Sequence, residues 1–161
     1  NMFVPFKELD NKARIWVYPA SRAFTDAEVV EISQKLEAFL TQWTAHGSSL
    51  KASFTLPYKR FIVIALDENA QSATGCSIDA SVRIIQEFEK AYNVTLLDKM
   101  NVSFKQGDYI TYKSLLDFKT MVKNKSVNEN TVVFNHLMVN KGEFLSEWEV
   151  QAKDSWHARY F

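Results

Sequence analysis

The sequence predicts an α+β domain in ferredoxin-like β-α-β-β-α-β order, an antiparallel sheet with two helices on one face, followed by a C-terminal helix or hairpin extension. Two long stretches repeat apolar side chains at helical spacing, and short β-branched or aromatic runs alternate with them over residues 14–112. The composition supplies the core: of 161 residues, 47% are hydrophobic and 14% aromatic, enough for one globular unit. We expect a single domain from Met2 to Phe161, with 14–112 as its α+β core and 113–161 packed on it; Asn1 precedes Met2, the expected native start.

Arg14-Ile15-Trp16-Val17-Tyr18 reads as a first strand stopped at Pro19. Thr25-Asp26-Ala27-Glu28 then forms a capping box, in which the Thr25 hydroxyl accepts from the Glu28 amide and the carboxylate reaches back. Behind it Val29, Ile32, Leu36, Phe39, Leu40 and Trp43 make one stripe that must be buried, and Gly47 ends the segment. Ala52-Ser53-Phe54-Thr55-Leu56 alternates and reads as an outer strand, whereas the run from Phe61 to Leu66 is apolar throughout and reads as a central one.

A second helix is predicted from about Ser77 to Tyr92, with Ile78, Val82, Ile85, Phe88 and Tyr92 inward, Arg83, Gln86, Glu87 and Lys90 outward, and Asn93 closing it in the left-handed conformation. Val102-Ser103-Phe104 and Tyr109-Ile110-Thr111-Tyr112 flank the turn Gln106-Gly107-Asp108. Ser114 starts a third, shorter helix with Leu115, Phe118 and Val122 on one face. Thr131 to Phe134 favours strand, Asn140-Lys141-Gly142 favours a turn, and Phe144 to Val150 reads as the returning strand; a short helix within 130–141 is the alternative.

Nineteen basic and nineteen acidic side chains cancel, so the positive excess that drives binding to a nucleic acid backbone is missing. The longest apolar run, Phe61 to Leu66, is far too short to span a bilayer. One cysteine cannot close an intramolecular disulfide and fits a reducing cytoplasm. The expectation is a soluble cytoplasmic protein with no nucleic-acid partner and no membrane span.

Chemistry is concentrated in Gly75-Cys76-Ser77-Ile78-Asp79, where a thiol, a hydroxyl and a carboxylate sit at a helix start. In the predicted topology the loop Thr44-Ala45-His46-Gly47 and the loop from Asp67 to Cys76 share one end of the sheet. Cys76, His46 and Asp79 are therefore the catalytic candidates, with Cys76 as nucleophile and His46 as base, and Gly75, Ser77 and Lys51 are candidates for ligand binding. A second interpretation competes: Cys76 and Ser77 begin a helix, Asp79 suits its first turn, and His46-Gly47 is a turn. Adjacent Asp67 and Glu68 read as loop residues. No HExxH, paired CxxC or His/Asp cluster is present and His136 and His157 have no companion at ligand spacing, so neither a metal nor another cofactor is expected. The aromatic tail from Ser155 to Phe161 either docks within the chain or anchors a homodimer.

Trp43-Thr44-Ala45-His46-Gly47, Leu50-Lys51-Ala52-Ser53-Phe54, Gly75 to Val82 and Ser155-Trp156-His157 together resemble a family of small, uncharacterised bacterial proteins that often carry the automatic label "ABC transporter ATPase". The resemblance runs over nearly the whole chain from Met2 and brings no established activity or catalytic residue. The label itself requires G-x-x-x-x-G-K-[ST], and no glycine here is followed by lysine. The expected function is binding or regulation, possible as a homodimer; the alternative is an enzyme or small-ligand binder with a pocket around His46 and Cys76.

Overall fold

The computed structural model describes residues 3–161, and the expected start at Met2 lies outside the described residues. Strand β1 (Arg14–Pro19) leads to helix α1 (Asp26–Thr41), a small hairpin of β2 (Thr44–Ala45) and β3 (Ser48–Ser49), then β4 (Lys51–Thr55), β5 (Phe61–Asp67) and helix α2 (Gly75–Tyr92). After these come β6 (Asn101–Gln106), β7 (Tyr109–Ser114), α3 (Leu115–Lys123), β8 (Val132–Phe134), α4 (Lys141–Glu147) and β9 (Glu149–Gln151). The architecture is mixed α+β with antiparallel sheets, and among the described residues no helix is long and apolar enough to cross a membrane.

The first sheet has the order β1-β5-β4, with Val17 opposite Val63 and Phe54 opposite Ile64. Its centre is β5, which is buried on both faces. Ile62, Ile64 and Leu66 meet Ile32, Leu36 and Leu40 of α1 and Ile85 and Phe88 of α2. Phe61, Val63 and Ala65 meet Phe134, Phe144 and Trp148 from the C-terminal third. This two-sided burial is why β5 shows no alternation.

Three of the four strands expected in one sheet pair with one another, but the fourth does not join them. The segment around Val102–Phe104 is β6, and it lies in a second sheet of order β7-β6-β8-β9. Its apolar side chains explain the choice: Val102 and Phe104 are fully buried with Phe118 of α3, Val127 and Val133, a core of their own. At the edge of β1 the chain returns instead through residues 139 and 140. The Ile15 amide donates to the Val139 carbonyl at 3.0 Å, and an isolated bridge joins Arg14 to Asn140.

The C-terminal reading also needs correction. Residues expected as a returning strand from Phe144 to Val150 form helix α4 and then the short β9. Asn140 is no turn residue but the helix cap: its Oδ1 accepts from the Glu143 amide at 2.8 Å and its Nδ2 donates to the Glu143 carboxylate at 3.0 Å. Phe144 and Trp148, four residues apart, then share the buried face. Lys141 is buried and donates from Nζ to the carbonyls of Phe6 at 2.9 Å and Leu9 at 2.7 Å, which fastens the N-terminal segment. The tail docks within the chain, with the rings of His157 and Phe161 against Phe118 at 6.0 and 6.2 Å.

Candidate functional site

Helix α2 begins two residues before the expected start at Ser77. Thr74 is its cap, and the two residues bond reciprocally: the Ser77 amide donates to Thr74 Oγ1 at 3.2 Å and the Thr74 amide to Ser77 Oγ at 2.7 Å. Ser77 is thereby buried and its hydroxyl occupied within the cap, while its carbonyl accepts from Trp43 Nε1 at 2.8 Å. Cys76 and Asp79 are exposed on the same turn. Gly75 is exposed too, with open space where a Cβ would stand and no positive φ, so neither geometry nor crowding demands a glycine there.

His46 and Gly47 form the two-residue turn between β2 and β3, with φ of 52° and 78°. This is the backbone of a type I′ hairpin, and His46 is exposed at its tip. Lys51 opens β4 and lies 3.9 Å from the Asp67 carboxylate. Asp67 also accepts from the Asn69 amide, and Glu68 accepts from the Ala73 amide at 2.9 Å, so both acids are built into the loop. A depression of about 390 Å³ lies between the end of α1 and the start of α2, lined by Phe39, Gln42, Trp43, Thr44, Cys76, Ser77 and Ala80. It brings Cys76 and Ser77 together with aromatic side chains; His46, Lys51 and Asp79 are outside its lining.

A larger concavity, about 510 Å³, runs along the edge of β1 that faces away from β5, past the point where residues 139 and 140 pair with it. Its walls are residues 15–19 of β1, Ile78 and Val82 of α2, and the segments 96–99 and 136–139. Ile78 and Val82 were expected to face inward with Ile85; they are half-buried because the core face of α2 is turned to Ser77, Ser81, Ile84, Ile85 and Phe88. The small Ser77 and Ser81 let that face lie close, and the branched side chains beside it are left to line the cavity.

Strand geometry sets the polar equipment of this cavity. The Ile15 amide points away from β5, and residues two apart point the same way, so the N–H and C=O of Val17 also face the open edge. Outside the β1–β5 ladder neither makes a backbone hydrogen bond among the described residues. Pro19 lacks an N–H and blunts the far end of the edge. At the mouth stands exposed Lys99, in no ion pair among the described residues. Neighbouring Asp98 is turned into its own loop, where Oδ1 accepts from the Met100 amide at 2.8 Å.

His136 lines the cavity, and burial together with the Lys99 charge holds its imidazole below the ordinary range, so it is neutral at neutral pH. Behind it Trp156 lies edge-on at 5.8 Å and stacks on His157 at 3.8 Å. His157 is fully buried; burial, with His136 nearby, pushes it down to about 3. Its Nδ1 is 2.7 Å from Ser155 Oγ. Tyr18, also in the cavity wall, is pushed up to about 12 by burial, against the pull of the Ser81 hydroxyl, and keeps its proton. The cavity thus offers apolar walls, neutral ring groups, a strand edge left open at Val17 and, in the segment 98–99, one cation beside one carboxylate. Among the described residues no three histidines, cysteines or acids converge to hold a metal ion.

No local pattern in 136–139 announces a cavity wall. The available signal was the unplaced apolar trio Leu137-Met138-Val139, of which Leu137 and Val139 stay exposed at 59% and 61%. Comparison with protein-family models, with curated proteins and with solved structures finds no match to this chain.

Proposed function

We propose that this chain is a binding domain whose ligand occupies the cavity along the free edge of β1. The observation that carries the reading is the coincidence of a 510 Å³ apolar concavity, unpaired backbone groups of Val17 and an unpaired cation in one place. Cavities of this size, apolar with a few polar groups, are where proteins take small molecules. The reading treats β1, β4 and β5 with α1 and α2 as a ferredoxin-like unit whose fourth-strand place is left open, and it treats the tail and both sheets as one cytoplasmic domain. The resemblance to the family labelled as transporter ATPases adds nothing on nucleotide binding, because the phosphate-loop lysine is missing.

The second reading keeps the site at Cys76 and His46, with Asp79, Gly75, Ser77 and Lys51 around it. It rests on one observation: the thiol is exposed beside an aromatic-lined depression. A single titration separates the two. The neutral fluorophore N-phenyl-1-naphthylamine should brighten on binding and quench Trp16, which lines the cavity at β1. Val82→Trp should fill the cavity and abolish the signal, whereas alkylation of Cys76 should leave it unchanged. Loss on alkylation with no effect of Val82→Trp moves the site to Cys76, and no binding at all refutes the domain as a binder of apolar molecules.

A homodimer belongs to the same proposal, supported by exposed Leu137 and Val139 at the cavity rim. Light scattering across a concentration series should then show twice the 18.6 kDa chain mass; a constant single-chain mass sinks the dimer without touching the cavity.

A further inference from the structure

We propose that the ligand of the β1-edge cavity is an amphipathic monocarboxylate, its apolar body against Ile78 and Val82 and its carboxylate at Lys99. The proposal rests on the cavity being a binding site and adds the class of molecule. The walls contributed by α2 are aliphatic, so they reward burial of hydrocarbon and offer it no hydrogen bond. Charge is confined to the segment 98–99. Of its two side chains, Asp98 is bonded to the Met100 amide, and its charge acts on Tyr112 of β7, helping burial raise that phenol. Lys99 acts in the other direction, on His136 inside the cavity. Arg14, at the start of β1, lies over the Trp16 ring at 4.7 Å and faces Glu68 at 3.9 Å, so it is already matched.

A neutral ligand would leave the exposed Lys99 ammonium to water and gain nothing from it, whereas an amine would be repelled by it. A carboxylate at the end of an apolar chain meets both halves of the site. The neutral imidazole of His136 and the free N–H of Val17 are uncharged neighbours that a carboxylate tolerates, since both rings and amides can donate to it.

Competition on the full chain tests the class. With N-phenyl-1-naphthylamine bound, octanoate, octanol and octylamine are compared as displacers. Octanoate should displace the probe at about two- to fivefold lower concentration than octanol, the scale of an exposed charge pair, and octylamine should be the weakest. Lys99→Gln should bring octanoate to the level of octanol, each displacement read against that variant's own affinity for the probe. Equal displacement by octanoate and octanol, preference for octylamine, or an octanoate preference that survives in Lys99→Gln overturns the carboxylate assignment while the cavity reading stands. A probe that does not bind, or binds Val82→Trp as well as the unaltered chain, overturns the cavity reading itself.

Discussion

His157 shows how one side chain can set the acid limit of the molecule. The ring is fully buried, held to about 3 in the folded chain, and returns to about 6.5 when released. Because the folded value is the lower one, protons bind the unfolded chain first as pH falls. Stability is therefore complete above about 6.5 and is lost progressively down to about 3. The slope approaches ~1.4 kcal/mol per pH unit for one such group. His136, also held down, contributes in the same direction. Glu28 does not interfere at first: held to about 2 by Arg22 and by the Thr25 amide, it loses its contribution only below its ordinary 4.5. Urea midpoints taken between about pH 7 and pH 5 should fall with acid, and His157→Phe should remove much of that fall. A midpoint equally pH-dependent in His157→Phe would mean that the buried imidazole is not the cause.

The elements differ in how far local chemistry decides them. The α1 cap and the centre of its stripe were legible, since the Thr25–Glu28 capping box forms and Ile32, Leu36 and Leu40 are fully buried. The helix ends at Thr41, however, so Trp43 lies beyond it and Gly47 belongs to the β2–β3 turn. Asn93 closes α2 at φ 51°, as its short side chain suggested. Strand β5 was legible because a strand buried on both faces cannot alternate. Helix α4 was not: Phe144 to Val150 mixes aromatic and polar residues in a way that suits a strand, and only the Asn140 cap and the tertiary pocket for Phe144 and Trp148 decide for helix. The start of α2 was legible to within two residues, because Ser77 suits the cap position as well as the third helical position it takes. The cavity was hidden for a different reason. It depends on which strand takes the edge of β1, a choice made by the non-local burial of Val102 and Phe104 with Phe118.

At the scale of the whole molecule, the joint between the two sheets is aromatic. Trp148 lies 4.9 Å from Phe61 of β5, 4.8 Å from Phe134 of β8 and 4.8 Å from Phe144, so one ring touches the first sheet, the second sheet and α4. Tyr58 sits on the same cluster, and its hydroxyl bonds to Glu149, which also takes Lys105 of β6 at 2.8 Å. Removing the central ring leaves a cavity that neither half can fill from its own core. Trp148→Ala should cost about 3–5 kcal/mol, a large share of the ~5–15 kcal/mol that holds a domain together. If the halves fold as one unit, far-UV circular dichroism and the fluorescence of the remaining tryptophans should report one coincident, less stable transition in the variant. Trp16 and Trp43 report the β1 side and Trp156 the C-terminal side, so a variant carrying Trp156→Phe as well reads the first sheet alone. A first sheet that melts later than the far-UV signal would show that β1, β4 and β5 with their two helices stand without the C-terminal third. The cavity wall at 136–139 would then be lost before the edge of β1 that it covers.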